Sequence, residues 1–595
     1  MRFPSIAALA ARARHTAARF PLALLAGFVS AGAMVAIIEG PERPWMSRLL
    51  FAGMLGLPSF SAVELGAARR WYGPRGRWLL SLLVAAALVG FFLAARGWTD
   101  DLTVLRLLQL SLLAHLAIAL VPFARSPSQV GFWQLNRLLL VRQLLGTFYT
   151  GVLWVGLAVA LAAIDKLLGV SVPGETYPEL GAILVFGFHP WFVLAGVPDD
   201  LDPLDRLDEY PAALKVFTQF VLLPLVTVYL TILTLYLGRV LVSQIWPSGW
   251  IGWLVSSVSV VGVLALLLLH PIRERVENRW VNGYGRWFFV AILPSLGMLL
   301  VAIAKRVGQY GFTEPRYFLL VLAIWMVGLA LFYGFSGSRN IRIIPLSLAV
   351  VAALSAGGPW GAYAVSRRSQ LARMGELLAA NDMGIVGAPR PASTAIGDED
   401  RRELSAVLTY LRRKHGREAV ARAVGVPDDS LGLWPDPEFG LGEGANAEYP
   451  AMTRLGLDYL DRWSGPGGPG FTIGVRDRQL LEIAGFEHLV SLSLSAGQRI
   501  GLGLGDLAIV ADSQFQVLTL TRAGTPVLQL PLGQVLDSLQ LSGAGSRTVP
   551  EPIAIDGEAG ALAVRLLLTD VSGTMRSGRA SSDYLSGYLL LRGVP

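Results

Sequence analysis

Residues 343–371 read IIPLSLAVVAALSAGGPWGAYAVSRRSQL, and the character of the chain changes inside this stretch. No side chain from 343 to 365 is charged, Arg367 and Arg368 follow at once, and charged residues recur regularly beyond them. Inside a bilayer only an intact helix satisfies its own backbone polar groups, and crossing the ~30 Å hydrocarbon core takes about 20 apolar residues. Read backwards from here, the pattern repeats: apolar runs at 21–39, 47–66, 78–96, 103–123, 144–164, 179–197, 214–238, 249–269, 286–304 and 317–335 precede the one at 343–365. Only 16% of the 595 residues are charged and mean hydropathy is +0.53, whereas a soluble protein carries about 25% charged residues. The deficit lies before residue 366. The sequence therefore predicts an all-α polytopic membrane helix bundle over 1–366, a helical soluble region over 367–464 and a β-rich soluble domain over 465–595.

Basic residues crowd the ends of the apolar runs, where they anchor membrane helices, so the net charge of +7 points to a lipid bilayer as partner and away from nucleic acid. With the N-terminus in the cytoplasm, nineteen arginines and lysines fall inside, among them Arg12, Arg69, Arg142, Arg273 and Arg342, and eleven fall outside. An odd number of crossings then puts the tail outside. The run at 21–39 reads as a retained signal anchor, since no small-residue cleavage site follows it. Residues 131–142, GFWQLNRLLLVR, are amphipathic and too polar to span, and are expected to lie along the membrane surface ahead of the fifth crossing. Between the sixth and seventh runs stand Asp199, Asp200, Asp202, Asp205, Asp208 and Glu209; lacking the spacing of a calcium loop, they read as a solvated acidic link.

The tail is α, then β. Residues 400–415 place Leu404, Val407, Leu408 and Leu411 at helical spacing with Gly416 as C-cap, and shorter helices are expected over 418–424 and 452–463. A Pro/Gly-rich stretch at 426–450 separates these two, and the glycine–proline breaker at 464–470 ends the helical region. The period then switches to two: 488–494, 515–521, 527–532, 562–569 and 584–592 read as short strands of an antiparallel sheet or small sandwich.

The catalytic motifs searched for are not in the sequence: no phosphate loop ending in Lys-Ser/Thr, no HExxH and no G-x-S-x-G. The glycines at 501, 503 and 505 read as a loop between strands. There is no cysteine, and no two of the six histidines share a metal-ligand spacing, so no metal and no cofactor is implied. Ionisable groups inside apolar runs are the better lead, because burying them is costly. These are Glu64 in the second run, His115 in the fourth and His189 before Pro190 in the sixth, where the helix is expected to break. Glu314 and Arg316 flank Pro315 at the head of the tenth run, where Glu314 suits the positive end of the helix dipole.

Longer stretches then carry a resemblance: LKVFTQFVLLPL at 214–225, WPSGWIGWLV at 246–255, HPIRERVENRW at 270–280, GRWFFVAILP at 285–294, YGFTEPRYFLLVLAIW at 310–325, IRIIPLSL at 341–348 and GPWGAYAVSRRSQL at 358–371. Together they resemble bacterial multi-spanning membrane proteins of the domain-of-unknown-function family number 4153. That resemblance implies a bacterial inner-membrane location and carries no activity or site residue. The functional expectation is an envelope binding, sensing or scaffold protein whose extracytoplasmic tail meets a protein or glycan. The alternatives are a transporter or channel with a site near Glu64, His115 and His189, and an enzyme on a lipid-linked substrate using Glu314 as base and Arg316 as anion binder.

Overall fold

The computed structural model of the chain describes residues 6–40, 43–95, 101–207, 209–243, 250–273, 280–336, 340–393, 396–427, 448–457, 459–460, 470–475, 483–495, 497–512, 515–538, 545–549, 552–576 and 579–593. Arg2, Arg96, Asp208, Arg275, Arg279 and Arg339, residues 428–447 of the Pro/Gly-rich stretch, and the breaker at 464–469 lie outside the described residues. The chain divides into two compact units, Met1–Ser369 and Gln370–Pro595.

The first unit is helical. Its elements are α1 (Ile6–Arg19), α2 (Pro21–Glu39), α3 (Pro44–Ala68), α4 (Pro74–Ala94), α5 (Asp101–Leu120), α6 (Gln129–Leu168), α7 (Thr176–Leu194), α8 (Ala212–Ser243), α9 (Trp250–Leu269), α10 (Trp280–Ala291), α11 (Leu293–Tyr310), α12 (Glu314–Phe335) and α13 (Ile343–Ala356), followed by α14 (Ala362–Ala380). Among the described residues, ten helical runs are long and apolar enough to cross a membrane, with α10 and α11 forming one run over Gly283–Tyr310. The outside of the unit is built for hydrocarbon. In α4 the only buried residue is Ser81, while Leu79, Leu82 and Leu93 are 59%, 66% and 71% exposed. In water that inverted pattern would be an aggregation liability, and in lipid it is solvation.

The run carrying Glu64 becomes the most enclosed helix: α3 is buried along most of its length from Leu50 to Gly66. It meets α2 through small residues. A Cβ on Gly53 would sit 2.3 Å from the Ser30 hydroxyl and 2.6 Å from the Ala26 carbonyl oxygen, and Ser30 itself donates to Ala26 O at 3.1 Å. Absent side chains let two backbones approach, which is how helices gain packing where lipid removes the hydrophobic drive.

Pro190 does not break its helix. A π turn at Leu184–Phe188 precedes it, as another at Thr218–Leu222 precedes Pro224, and each helix continues. Proline lacks the N–H that would bond the carbonyl four residues back, and a wider turn absorbs the mismatch. That carbonyl, Phe186 O, faces Gly27 of α2, where a Cβ would sit 2.5 Å away.

Two expectations are corrected. Residues 131–142 are not a separate surface helix but the start of the 40-residue α6, capped by the Ser128 hydroxyl on Gly131 N. No proline interrupts α6, and its polar residues find protein partners: Trp133 donates to Leu267 O (2.8 Å), and Gln134 to Leu207 O (2.7 Å) and Glu209 O (2.9 Å). The eleventh run does not continue to 365 as one helix. Gly357, Gly358 and Pro359 end α13 after 14 residues, a length of about 21 Å, before α14 begins.

The second unit has a helical core and a β core. Met374, Leu378, Leu404, Leu408, Leu411 and Met452 pack together across α14 and the helices Asp398–His415, Arg417–Ala423 and Glu448–Arg454. The last is shorter than its pattern suggested, because Gly456 turns the chain at φ +72°. Two sheets then close on one core. The larger pairs His488–Ser495 with Arg579–Arg592, that strand with Leu562–Arg576, and Leu562–Arg576 with both Ile553–Ala559 and Gly470–Val475, all antiparallel. Its departure from a purely antiparallel sheet is the parallel pair Gly470–Val475 with Gly545–Val549. The smaller sheet runs Arg499–Gly501, Leu507–Ala511, Leu518–Arg522, Thr525–Leu530. The period of two is visible in burial: Leu492 and Leu494 point into the core, Ser491 and Ser493 outward.

Gly53→Val is expected to cost about 1–3 kcal/mol and lower the melting temperature of the detergent-purified protein, because the α2 backbone cannot yield. Gly32→Val, at a position with nothing within 4 Å, serves as control. Equal melting temperatures for the two variants would contradict the packing described.

Candidate functional site

The acidic link between α7 and α8 is not solvated throughout; arginines from the first helices hold it. Arg19, at the end of α1, donates to Val197 O and Pro198 O at 2.7 Å each and pairs with Asp199 at 3.1 Å. Arg69, at the end of α3, reaches Asp202 at 3.0 Å and grips both oxygens of Asp205 at 2.8 and 2.9 Å. Its side chain is 5% exposed and lies over the Phe123 ring at 4.5 Å. Asp205 comes so close to α6 that a Cβ on Gly131 would stand 1.9 Å from its Oδ1. Partial burial pushes the Asp205 carboxyl up, but the hydrogen bonds from Arg69 and Ser128 and the Arg69 charge outweigh it and leave the group below the usual carboxylate range. Among the described residues, no group of three or more histidines and carboxylates is arranged to hold a metal ion.

The five sequence candidates contact different elements. Glu64 is buried and takes Nε and an Nη of Arg77, at the foot of α4, at 2.9 Å each. His115 is exposed and bonds Ser111 O of its own helix at 2.7 Å. His189 of α7 faces α6, with Thr147 Oγ1 at 3.5 Å, and a Cβ on Gly146 would lie 3.0 Å from its ring. Glu314 is fully buried in the first turn of α12. Arg316 turns back onto the end of α11, donating to Gly311 O at 2.7 Å and Tyr310 O at 3.3 Å, where a cation suits the helix dipole. None of the five lines the groove described below.

What the structure assembles instead is a polar knot beside an apolar groove. Gln109 of α5 donates to Ala352 O and Ser355 Oγ of α13, both at 3.0 Å, and Tyr363 of α14 donates to Gln109 Oε1 at 3.1 Å. The Arg106 guanidinium stands 4.9 Å from the Tyr363 ring centre. Gln109 and Ser355 also line a groove of about 300 Å³ between α5, α12 and α13, walled by Leu105, Phe318, Leu322 and Trp325. The sequence signal for the knot is Gln109, the one amide in the fourth run.

Among the described residues, ten apolar helical runs have the length and composition of a multi-pass membrane protein, and a unit with its own helical and β cores follows them. The chain belongs to the family described as "Domain of unknown function (DUF4153)", which it matches over residues 23–383, as its motifs indicate. It is similar to "Uncharacterized protein PM1469" of Pasteurella multocida (strain Pm70), 24% identical over 387 residues, which are 64% of this chain and 62% of that relative. The match thus leaves more than a third of the relative's length outside it. No solved structure matches.

Arg69→Gln is expected to cost roughly 1–3 kcal/mol at neutral pH, by leaving Asp205 and Asp202 without their cation. The depressed Asp205 carboxyl contributes stability above its unfolded value of about 3.9 and loses it as pH falls through the lower folded value. The melting-temperature gap between Arg69→Gln and the parent should therefore close below about pH 4. A gap that persisted there would place the effect elsewhere.

Proposed function

We propose that the protein resides in the bacterial inner membrane with its N-terminus in the cytoplasm, and that its second unit stands on the far side and binds an envelope protein or glycan. The course of α13 carries this reading. At its head, Arg342 donates to Phe123 O at 2.5 Å and to Ser126 O, beyond the C-terminal end of α5. At its tail, Ser355 meets Gln109, and Tyr363 follows beside Gln109 and Arg106, near the start of α5. The short α13 and the turn after it thus cover most of the depth that α5 covers, which supports eleven crossings rather than ten. An odd count puts the two ends of the helical unit on opposite sides, and the arginine bias favours the first side as cytoplasmic. The second unit's own helical and β cores support a role as a folded module.

A second reading, action on a lipid-linked substrate, is favoured by one observation: the groove between α5, α12 and α13 ends in the Gln109–Tyr363 knot, with Glu314 close enough to act on Tyr363 electrostatically.

The absence of cysteine makes a direct test available. With single cysteines at exposed positions, a membrane-impermeant maleimide added to spheroplasts should label Ser491→Cys at once and Ala10→Cys only after lysis. The opposite order would overturn the topology. Photo-crosslinking residues at the exposed Leu489 and Tyr584 should yield adducts with an envelope protein or with peptidoglycan, and no adduct from either site would count against the binding role.

A further inference from the structure

The groove of about 300 Å³ draws its lining from positions 105 to 112 of α5, 318 to 325 of α12 and 348 to 355 of α13. Each stretch is two helical turns, a rise of about 10 Å, so the space is drawn out along the helices with a cross-section of roughly 30 Å². Those proportions fit one hydrocarbon chain rather than a compact solute. Leu108 and Leu112 in its wall are exposed, and α5 and α12 are both apolar enough to cross a membrane, so the groove opens toward lipid.

The polar side chains in the lining are already committed within the protein. Gln109 Nε2 donates to Ala352 O and Ser355 Oγ, and Gln109 Oε1 accepts from Tyr363. The Ser355 hydroxyl donates to Val351 O at 2.8 Å, and Trp325 Nε1 donates to Ser347 Oγ of α13 at 2.9 Å. A water molecule needs two to four polar partners to stay in such a space, whereas an apolar cavity stays dry and takes an apolar guest. The bilayer supplies one.

The knot also fixes a charge beside the groove. Gln109 holds the Tyr363 hydroxyl, and the Arg106 guanidinium lies 4.9 Å from the Tyr363 ring centre. Arg106 is exposed and stands one turn nearer than Gln109 to the N-terminal, positive end of α5. Glu314, which also acts on Tyr363, is fully buried in α12. An arginine fork at a helix N-terminal end suits a phosphate oxygen.

We propose that the groove binds one acyl chain of an anionic phospholipid whose phosphate rests on Arg106, with Gln109 and Tyr363 as positioning residues. The proposal rests on the groove that supports the second reading above and requires no reaction there. Phospholipid that is held and recovered unchanged therefore sustains it and counts against that reading alone.

The test uses the full chain in vesicles of phosphatidylethanolamine and phosphatidylglycerol, with a trace of phosphatidylglycerol carrying a diazirine in one acyl chain. After photolysis the label should concentrate on residues 105–112, 318–325 and 348–355, well above its density on the lipid-facing α4. Leu112→Trp, which fills the groove from an exposed wall position, should remove most of that label, while Leu93→Trp on α4 leaves it in place. Should Leu112→Trp fail to fold, Val321→Trp fills the space from the α12 wall. Arg106→Gln should weaken retention of phosphatidylglycerol in native mass spectrometry about fivefold, the effect of one arginine beside anionic lipid. Label spread evenly over α4 and the groove helices, or groove label unchanged in the tryptophan variants, overturns the chain site. Unchanged retention in Arg106→Gln overturns the place given to the phosphate. Label that a polyprenyl phosphate displaces and unlabelled phosphatidylglycerol does not overturns the choice of phospholipid.

Discussion

Hydrocarbon offers no hydrogen-bond partner, and the first unit is arranged around that one constraint. Among the described residues its backbone is helical through ten apolar runs, leucines such as Leu79, Leu82 and Leu93 face outward, and its buried residues include small or polar ones: Ser30, Gly53, Ser61, Gln109 and Ser355. Ahead of Pro190 and Pro224 the chain widens into a π turn rather than leaving the helix, and Gly27 of α2 makes room for the Phe186 carbonyl. The interior of such a unit is held by backbone proximity, hydrogen bonds and the packing of apolar side chains such as Phe20, Phe123, Leu230 and Phe288.

The same constraint pushes charge to the helix ends, where it has structural work. Arg19 and Arg69 grip the acidic link, Arg77 neutralises Glu64, Arg342 ties α13 to the end of α5, and Arg316 caps α11. Arginine suits these places because its planar fork serves a carboxylate or several carbonyls at once. Against this background the Gln109 knot stands out as buried polarity placed beside an apolar groove.

Much of the architecture was legible before any coordinates. The apolar runs, the change of character at residue 366 and the switch to a period of two beyond 470 each follow from local side-chain chemistry, and long motifs sufficed to recognise the family. What misled were features whose outcome depends on a distant partner. Trp133, Gln134 and Asn136 made residues 131–142 look like a surface segment; the structure supplies Leu267, Leu207 and Glu209 as acceptors for the first two, and the segment became the first turns of a 40-residue helix. Asp202 and Asp205 looked solvated because Arg69 stands more than a hundred residues away in sequence.

The candidate residues show the same division. Burial cost alone singles out Glu64, His115, His189, Glu314 and Arg316, yet Glu64 meets Arg77, His189 faces Thr147, Arg316 turns onto Gly311 O, and His115 is not buried at all. By itself the sequence determined which segments suit lipid, which suit water, and where helix gives way to strand, because hydropathy and periodicity are properties of a few adjacent side chains. Only the tertiary structure decided which charges meet, that α13 stops at Gly357 yet lies along most of α5, and that Gln109, Ser355 and Tyr363 meet in one knot. Those facts are distances between residues far apart in the chain, and no local pattern encodes them.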